Sequence, residues 1–399
     1  MKIKILFGMI LSATLVALSG CGGGGGGGGS TAATPTVVSG VASKGQFVSG
    51  KVDIFGVDAV TSGKGALLKT TSLDALGTYT ADISPYTGPI LIEVTGKYKD
   101  EATGALVDTS VPLRVAISNA AANVSAMVTP LTELAVRKLN NVFTKTAVDT
   151  INKDIATIFK LDDITKTKPL DATIAPPATA TAAEKNQSLV LATISQMVKN
   201  SGDTTANALD NVLNSMAADI SGSTLADSST ASFKTALFDF VSDPAKNKTG
   251  ITDAATAPVN IGTFKLAHLK ISTAGLAAAA KVGGMDFTFN LPAGVSLTKD
   301  AITNQVTPGT VVVSGVAAAA GTTSISLATL NLQALRTVLA NAQGFGAGEF
   351  VDVSCTIPAG NLAKAADFTT AITAATVSAT DLKGAPITGA TLSAVVDVF

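Results

Sequence analysis

Between residues 37 and 128 the chain carries short β-branched runs that alternate apolar and polar positions and stop at turn signals. Runs at 37–41, 48–55, 67–71, 78–83, 90–95, 111–117 and 124–128 read as strands. Clusters such as Ser62-Gly63-Lys64-Gly65 and Ser84-Pro85 separate them. Short strands at this spacing predict an antiparallel β-sandwich over 37–128. The period changes at Thr129-Pro130, where a capping hydroxyl precedes a proline suited to the first helical position. Leu131, Leu134, Ala135 and Leu139 follow at helical spacing, and Val148, Ile151, Ile155 and Ile158 do so in the next segment. Further helices are expected at 182–200, 204–220 and 228–242, after a loop holding Pro169, Pro176 and Pro177. Asp243-Pro244 stops the last one. The stretch 129–242 is thus expected as a central α-helical bundle, and the small, polar stretch 243–260 as a linker.

From 261 to 399 alternation of period two returns. Met285, Phe287, Phe289 and Leu291 share one face, with Asp286, Thr288 and Asn290 on the other. Val351, Val353, Cys355 and Ile357 repeat the pattern. The fold class expected is therefore multidomain α+β: an N-terminal antiparallel β-sandwich, a central helical bundle and a C-terminal β-sandwich.

The first residues follow a different logic. Lys2 and Lys4 precede an apolar run at 5–18, which is short for a bilayer span and ordinary for a signal peptide over 1–20. Leu18-Ser19-Gly20-Cys21 then resembles the lipobox of bacterial lipoproteins. The resemblance implies cleavage between Gly20 and Cys21 and acylation of the Cys21 sulfur and of the new amine. It also implies residence in the outer membrane, since Gly22 stands where an Asp would favour inner-membrane retention. Eight glycines at 22–29 offer no side chain to pack, so 21–36 reads as a lipidated cysteine followed by a flexible tether. Several acyl chains would hold the protein to the membrane firmly, with its surface exposure left open.

Composition narrows the chemistry. With 28 basic residues against 29 acidic ones, the chain has no bulk attraction for nucleic acid. One His and two Cys cannot build a cysteine–histidine metal cage or a disulfide scaffold, so no cofactor beyond the lipid on Cys21 is expected. His268 sits in an alternating strand and reads as a surface or structural position. No Gly-x-Ser-x-Gly elbow accompanies it. Cys355 faces the same way as Val351 and Val353 and reads as a buried thiol. The acidic pairs Asp100-Glu101 and Asp162-Asp163 read as solvated surface charge. The alanine runs at 277–280 and 317–320 read as small-residue turns or strand ends.

Two further resemblances bear on function. Val38-Ser-Gly-Val-Ala-Ser-Lys-Gly45, Lys51-Val-Asp-Ile-Phe55 and Leu76-Gly-Thr-Tyr79 together resemble the carboxypeptidase regulatory-like (transthyretin-like) family. That implies a structural or binding sandwich in which the tyrosine packs, and no peptidase activity. The strand at 265–272, Gly284-Met-Asp-Phe-Thr-Phe-Asn-Leu-Pro292, Val311-Val-Val-Ser-Gly315 and the run Gly348 to Ile357 resemble a cohesin-like domain. That implies a nine-stranded sandwich that binds a protein partner or a polymer, and it belongs to a superfamily shared with carbohydrate-binding modules. Sugar stacking usually needs Trp or Tyr. The chain has no Trp, and its tyrosines (Tyr79, Tyr86, Tyr98) all lie in the first sandwich. Tyr86 and Tyr98, near expected loops, are the candidate glycan contacts. The expectation is a non-catalytic envelope binding or scaffold lipoprotein that engages a protein or surface polymer. The alternative is a carbohydrate-binding accessory lipoprotein in polysaccharide binding or breakdown.

Overall fold

Strand β1 (Val37–Val41) opens the described part of the chain, which a computed structural model covers at residues 35–399 except 278, 308 and 322. On one edge β1 pairs antiparallel with β4 (Thr78–Asp82), and on the other it pairs parallel with β8 (Asn123–Ser125). A second sheet runs in the order β3 (Lys64–Ser72), β2 (Gln46–Val57), β5 (Gly88–Lys99), β6 (Leu106–Asp108). Strand β7 (Leu113–Ala120) takes the first half of the same β5 edge, while β6 takes its last three residues. The expected strands fall within or close to these elements. β6 has three residues, too few for its alternation to be visible.

Helix α1 (Pro130–Lys138) starts where the sequence indicated. The Thr129 hydroxyl accepts the Thr132 N–H, and the Thr132 hydroxyl accepts the Thr129 N–H. Then come α2 (Lys145–Ile158), α3 (Ala182–Asn200) and α4 (Ala208–Asp219). A two-residue hairpin pair, β9 (Ile220–Ser221) and β10 (Thr224–Leu225), leads into α5 (Asp227–Val241). Thr181 and Glu184 form a reciprocal cap on α3. From Gln187 to Met197 every α3 residue is buried, so this helix is enclosed on all sides. The α1 face is tied down by Glu133, fully buried, which accepts from Arg114 (2.7 and 2.9 Å) on β7 and from Arg137 (2.9 Å). Arg137 reaches on to Asp210 of α4 at 2.6 Å. Such charge-assisted, forked contacts fix orientation as well as distance.

The remaining strands form two more sheets. One has the order β13 (Val311–Val313), β16 (Gly348–Ile357), β11 (Lys265–Ala274), β19 (Thr391–Val398). The other runs β14 (Thr323–Asn331), β15 (Ala334–Phe345), β12 (Val282–Asn290), β17 (Thr376–Thr380), β18 (Pro386–Ile387). Pairing within both is antiparallel. Met285, Phe287, Phe289 and Leu291 are buried, as are Val351, Val353, Cys355 and Ile357, as their alternation predicts. The alanine run at 317–320 is a correction. Most of it lies in a short helix, α6 (Gly315–Ala319), with Ala317 buried; a second helix, α7 (Ala365–Thr373), buries Phe368 and Ile372. The protein is thus mixed α+β with more strand than helix, and seven helices among the described residues.

Burial divides the chain differently from its secondary structure. One continuous core takes Val38, Val52, Ile92 and Val124 from the first two sheets together with Leu131, Ile155, Leu191, Leu213 and Phe240 from the five helices. The change of period at 129 is a change of element inside one core, not a boundary between cores. The stretch 243–260 is also no free linker: Ala254, Ala257 and Val259 are buried in that core, and Asn247 holds the carbonyls of Val241 and Ile251. A second core begins at Ala267 and serves the last nine strands. Between the two, Phe399 stacks on Phe238 at 4.4 Å and its backbone pairs with Leu266. His268 presents its ring edge-on to Phe238, which accords with a structural position.

Lys234 of α5 lies at this junction, 2 % exposed, and donates to the Ile261 carbonyl at 3.2 Å and to the Asn260 side chain. Burial, with Lys160 nearby, pushes its ammonium from 10.5 down to about 8. The folded chain therefore holds this proton less tightly than the unfolded chain does. Stability linked to Lys234 should rise as pH climbs from about 8 to 10.5. Chemical denaturation across that range should show wild type gaining on the order of 1–2 kcal/mol relative to Lys234→Met. A constant difference between the two proteins would contradict the burial of the ammonium.

Candidate functional site

Cys21 and Gly20, the proposed lipidation and cleavage positions, lie outside the described residues. Of the two candidate glycan contacts, Tyr98 is buried and Tyr86 half-buried. Tyr98 is 4 % exposed, with its ring 5.5 Å from that of Phe47, so its face is not open to a sugar. Tyr86 is half-buried; its hydroxyl accepts the Val57 N–H at 3.1 Å and donates to the Pro89 carbonyl at 2.7 Å. Both tyrosines pack within the fold, Tyr98 because β2 and β5, adjacent and antiparallel, bring Phe47 opposite it.

The same register assembles a charged cluster. Gln46 pairs with Lys99, so the turn before β2 meets the turn after β5. Gly45 makes this approach feasible: its φ is +71°, and a Cβ there would lie 1.8 Å from the Lys99 carbonyl oxygen. Lys44 is thereby turned inward and is fully buried, a rare state for lysine. Its Nζ lies 2.6 Å from Asp100 Oδ2, 2.6 Å from Ser195 Oγ and 3.9 Å from Glu101 Oε2. Ser195, on the enclosed helix α3, donates onward to Glu101 Oε2 at 2.5 Å. The Tyr98 ring stands 5.2 Å from the ammonium.

Asp100 and Glu101 are 6 % and 4 % exposed, which corrects the expectation of solvated surface charge. Asp162 does face solvent, and Asp163 accepts the N–H groups of Thr165 and Lys166. Burial works against the charge on Lys44, but Glu101 and Asp100 outweigh it and hold the ammonium above its ordinary range. Burial also opposes ionisation of Asp100, and Lys44 with the Thr103 hydrogen bonds overcomes it, so this carboxyl is held low. Glu101 has the opposite balance; burial prevails and its carboxyl is pushed up.

A signal for this site was present locally. Asp100 Oδ1 accepts the N–H of Ala102 (3.0 Å), the N–H of Thr103 (2.9 Å) and the Thr103 hydroxyl (3.0 Å). Asp58 makes the same contacts with Val60 and Thr61, and Asp300 with Ile302 and Thr303. In each case the residue four places on has positive φ: Ser62, Gly104 and Asn304. The Asp-x-x-Thr pattern, which occurs eight times in the sequence, forms this turn at these three places. Only the copy at Asp100 is closed over, because α3 lies across it.

A cleft of about 570 Å³ opens where α3, α4 and α5 meet the last strands. Asn200, Asn211, Ser215, Ser232, Thr310 and Ser354 supply hydroxyls and amides, with Met197, Met216 and Leu266 as apolar surface. Asp203 is its acidic member, held low by the Thr205 and Asn211 hydrogen bonds. Cys355 lines the floor as a buried free thiol, its ionisation pushed up by burial. Such a lining suits hydrogen bonding to an uncharged polar chain. Comparison of the sequence and fold with protein-family models, curated proteins and solved structures finds no match.

Replacing Lys44 by Met would leave two enclosed carboxyl groups without a cation. Denaturant titration of that variant should show a loss of about 3–5 kcal/mol near pH 7. The loss should shrink on acidification toward about pH 4, where protonation neutralises carboxyls whose ionisation the folded state then disfavours. A loss below about 1 kcal/mol at neutral pH would be incompatible with the enclosed cluster.

Proposed function

We propose that this chain is a non-catalytic binding or scaffold protein anchored by lipid on Cys21 to the bacterial outer membrane. The observation that carries the reading is the order of sequence signals: Lys2 and Lys4, an apolar run, Leu18-Ser19-Gly20-Cys21, then eight glycines. The compact unit of Pro35–Phe399 follows that tract in the chain, as a tethered binding body requires. Within this reading the architecture is an N-terminal sandwich of the carboxypeptidase regulatory-like kind, a helical bundle and a cohesin-like sandwich. The helices and the first sandwich share one hydrophobic core.

The partner is a protein or surface polymer of uncharged, hydrogen-bonding character, held in the cleft between the helices and the last strands. The hydroxyl and amide lining supports this choice. The carbohydrate-accessory alternative loses the Tyr98 face to packing and is left with the half-buried Tyr86.

Two experiments test the reading. Metabolic labelling with palmitate should mark the wild-type protein and leave Cys21→Ser unlabelled and released from the membrane fraction. Label retained by that variant would end the proposed address. Ser232 is exposed at the cleft mouth. The Ser232→Trp variant should fold normally by circular dichroism yet lose at least about tenfold in capture of envelope material, a cost of about 1.4 kcal/mol. Undiminished capture would exclude the cleft as the contact surface.

A further inference from the structure

The enclosed cluster has the parts of a condensation reaction. An amine and a carboxyl are in contact, Lys44 Nζ to Asp100 Oδ2 at 2.6 Å, with the amine sealed from water. The other Asp100 oxygen already faces three donors: the N–H groups of Ala102 and Thr103 and the Thr103 hydroxyl. Those donors are where a negative charge on Oδ1 would need them if the carboxyl carbon were attacked. A proton path leads away from the amine, since Nζ touches Ser195 Oγ and Ser195 Oγ touches Glu101 Oε2. Every member of the cluster is held by an independent element: a turn fixed by Gly45, a turn fixed by Asp100 itself, and an enclosed helix. Reacting groups so confined meet at high effective concentration.

We propose that Lys44 and Asp100 join in a covalent amide bond, formed by the folded chain itself, with Ser195 and Glu101 relaying the protons. Lys44 Nζ gives a proton through the Ser195 hydroxyl to the Glu101 carboxylate and becomes a neutral amine. Its lone pair attacks Asp100 Cγ, and the new N–C bond places negative charge on Oδ1 among its three donors. The nitrogen gives up a second proton, and both protons reach Oδ2 across the 2.6 Å Nζ–Oδ2 contact, Glu101 handing back through Ser195 the one it had taken. The C–Oδ2 bond breaks and that oxygen leaves as water. In sum, an ammonium and a carboxylate become a secondary amide and one water, Glu101 and Ser195 end as they began, and no oxidant or co-reactant is consumed. Formation is favoured because two enclosed charges are replaced by a neutral amide, and sealing from solvent opposes hydrolysis. The bond ties the turn that follows β1 to the β5–β6 turn, 56 positions on.

The test is tryptic peptide mapping of the purified full-length protein by mass spectrometry after denaturation in acid, which separates anything held non-covalently. A joined species is expected, made of the peptide that ends at Lys51, uncut at Lys44, and the peptide running from Asp100 to Arg114. Its mass should be one water below the sum of the two. Complete cleavage at Lys44 with a free 100–114 peptide would overturn the proposal, and this outcome is readable on the wild type without any variant. Glu101→Gln, which keeps the shape and removes the proton carrier, should lower the joined fraction at least about tenfold in freshly made protein. Joining at the wild-type level in that variant would overturn the assigned relay.

Discussion

A lysine ammonium closed off from water has to be compensated on the spot, and most of the first half of this molecule is arranged around that constraint. Lys44 can be enclosed only if acceptors meet it on every open side, because an unpaired buried charge would cost several kcal/mol. Asp100, Glu101 and Ser195 meet that demand from two distant parts of the chain. The β1–β2 turn, the β5–β6 turn and helix α3 are consequently fixed against each other. A slip of β2 by one residue relative to β5 would turn Lys44 outward and leave the two carboxyls enclosed without a cation.

The hydrophobic packing has the same consequence. The first two sheets and five helices share one core, and Glu133, held by Arg114 and Arg137, links β7, α1 and α4 across it. The stretch that follows α5 joins that core before the chain enters the last nine strands. Two bodies with separate interiors thus meet along a contact that includes Phe238, His268, Leu266 and Phe399. The cleft sits where the surfaces diverge, a common location for binding sites. Its hydroxyls come from both sides, so a ligand there would bridge the helices and the last strands.

Much of this could be read from residue order alone, and the omissions have physical reasons. Period-two faces such as Met285 to Leu291 and the Thr129-Pro130 helix start were legible because one local rule controls each. The short α6 was missed because small residues carry no periodic contrast. The core shared across position 129 was missed because periodicity reports which face is apolar and says nothing about what covers it. Tyr98 was misplaced for the same reason, since nearness to a loop in sequence does not measure exposure. Asp100-Glu101 was read as surface charge on average residue behaviour. The helix that closes over it arrives some ninety residues later.

Hydrogen exchange read by mass spectrometry under native conditions tests the locking of sheet to helix most directly, by comparing the amides of β2, β5 and α3. If the enclosed lysine and the common core hold these elements together, their slowest amides should open with one free energy and respond equally to denaturant. Exchange of α3 through a separate, lower-energy opening while β2 and β5 stay protected would contradict that coupling and make sheet and helix independent units.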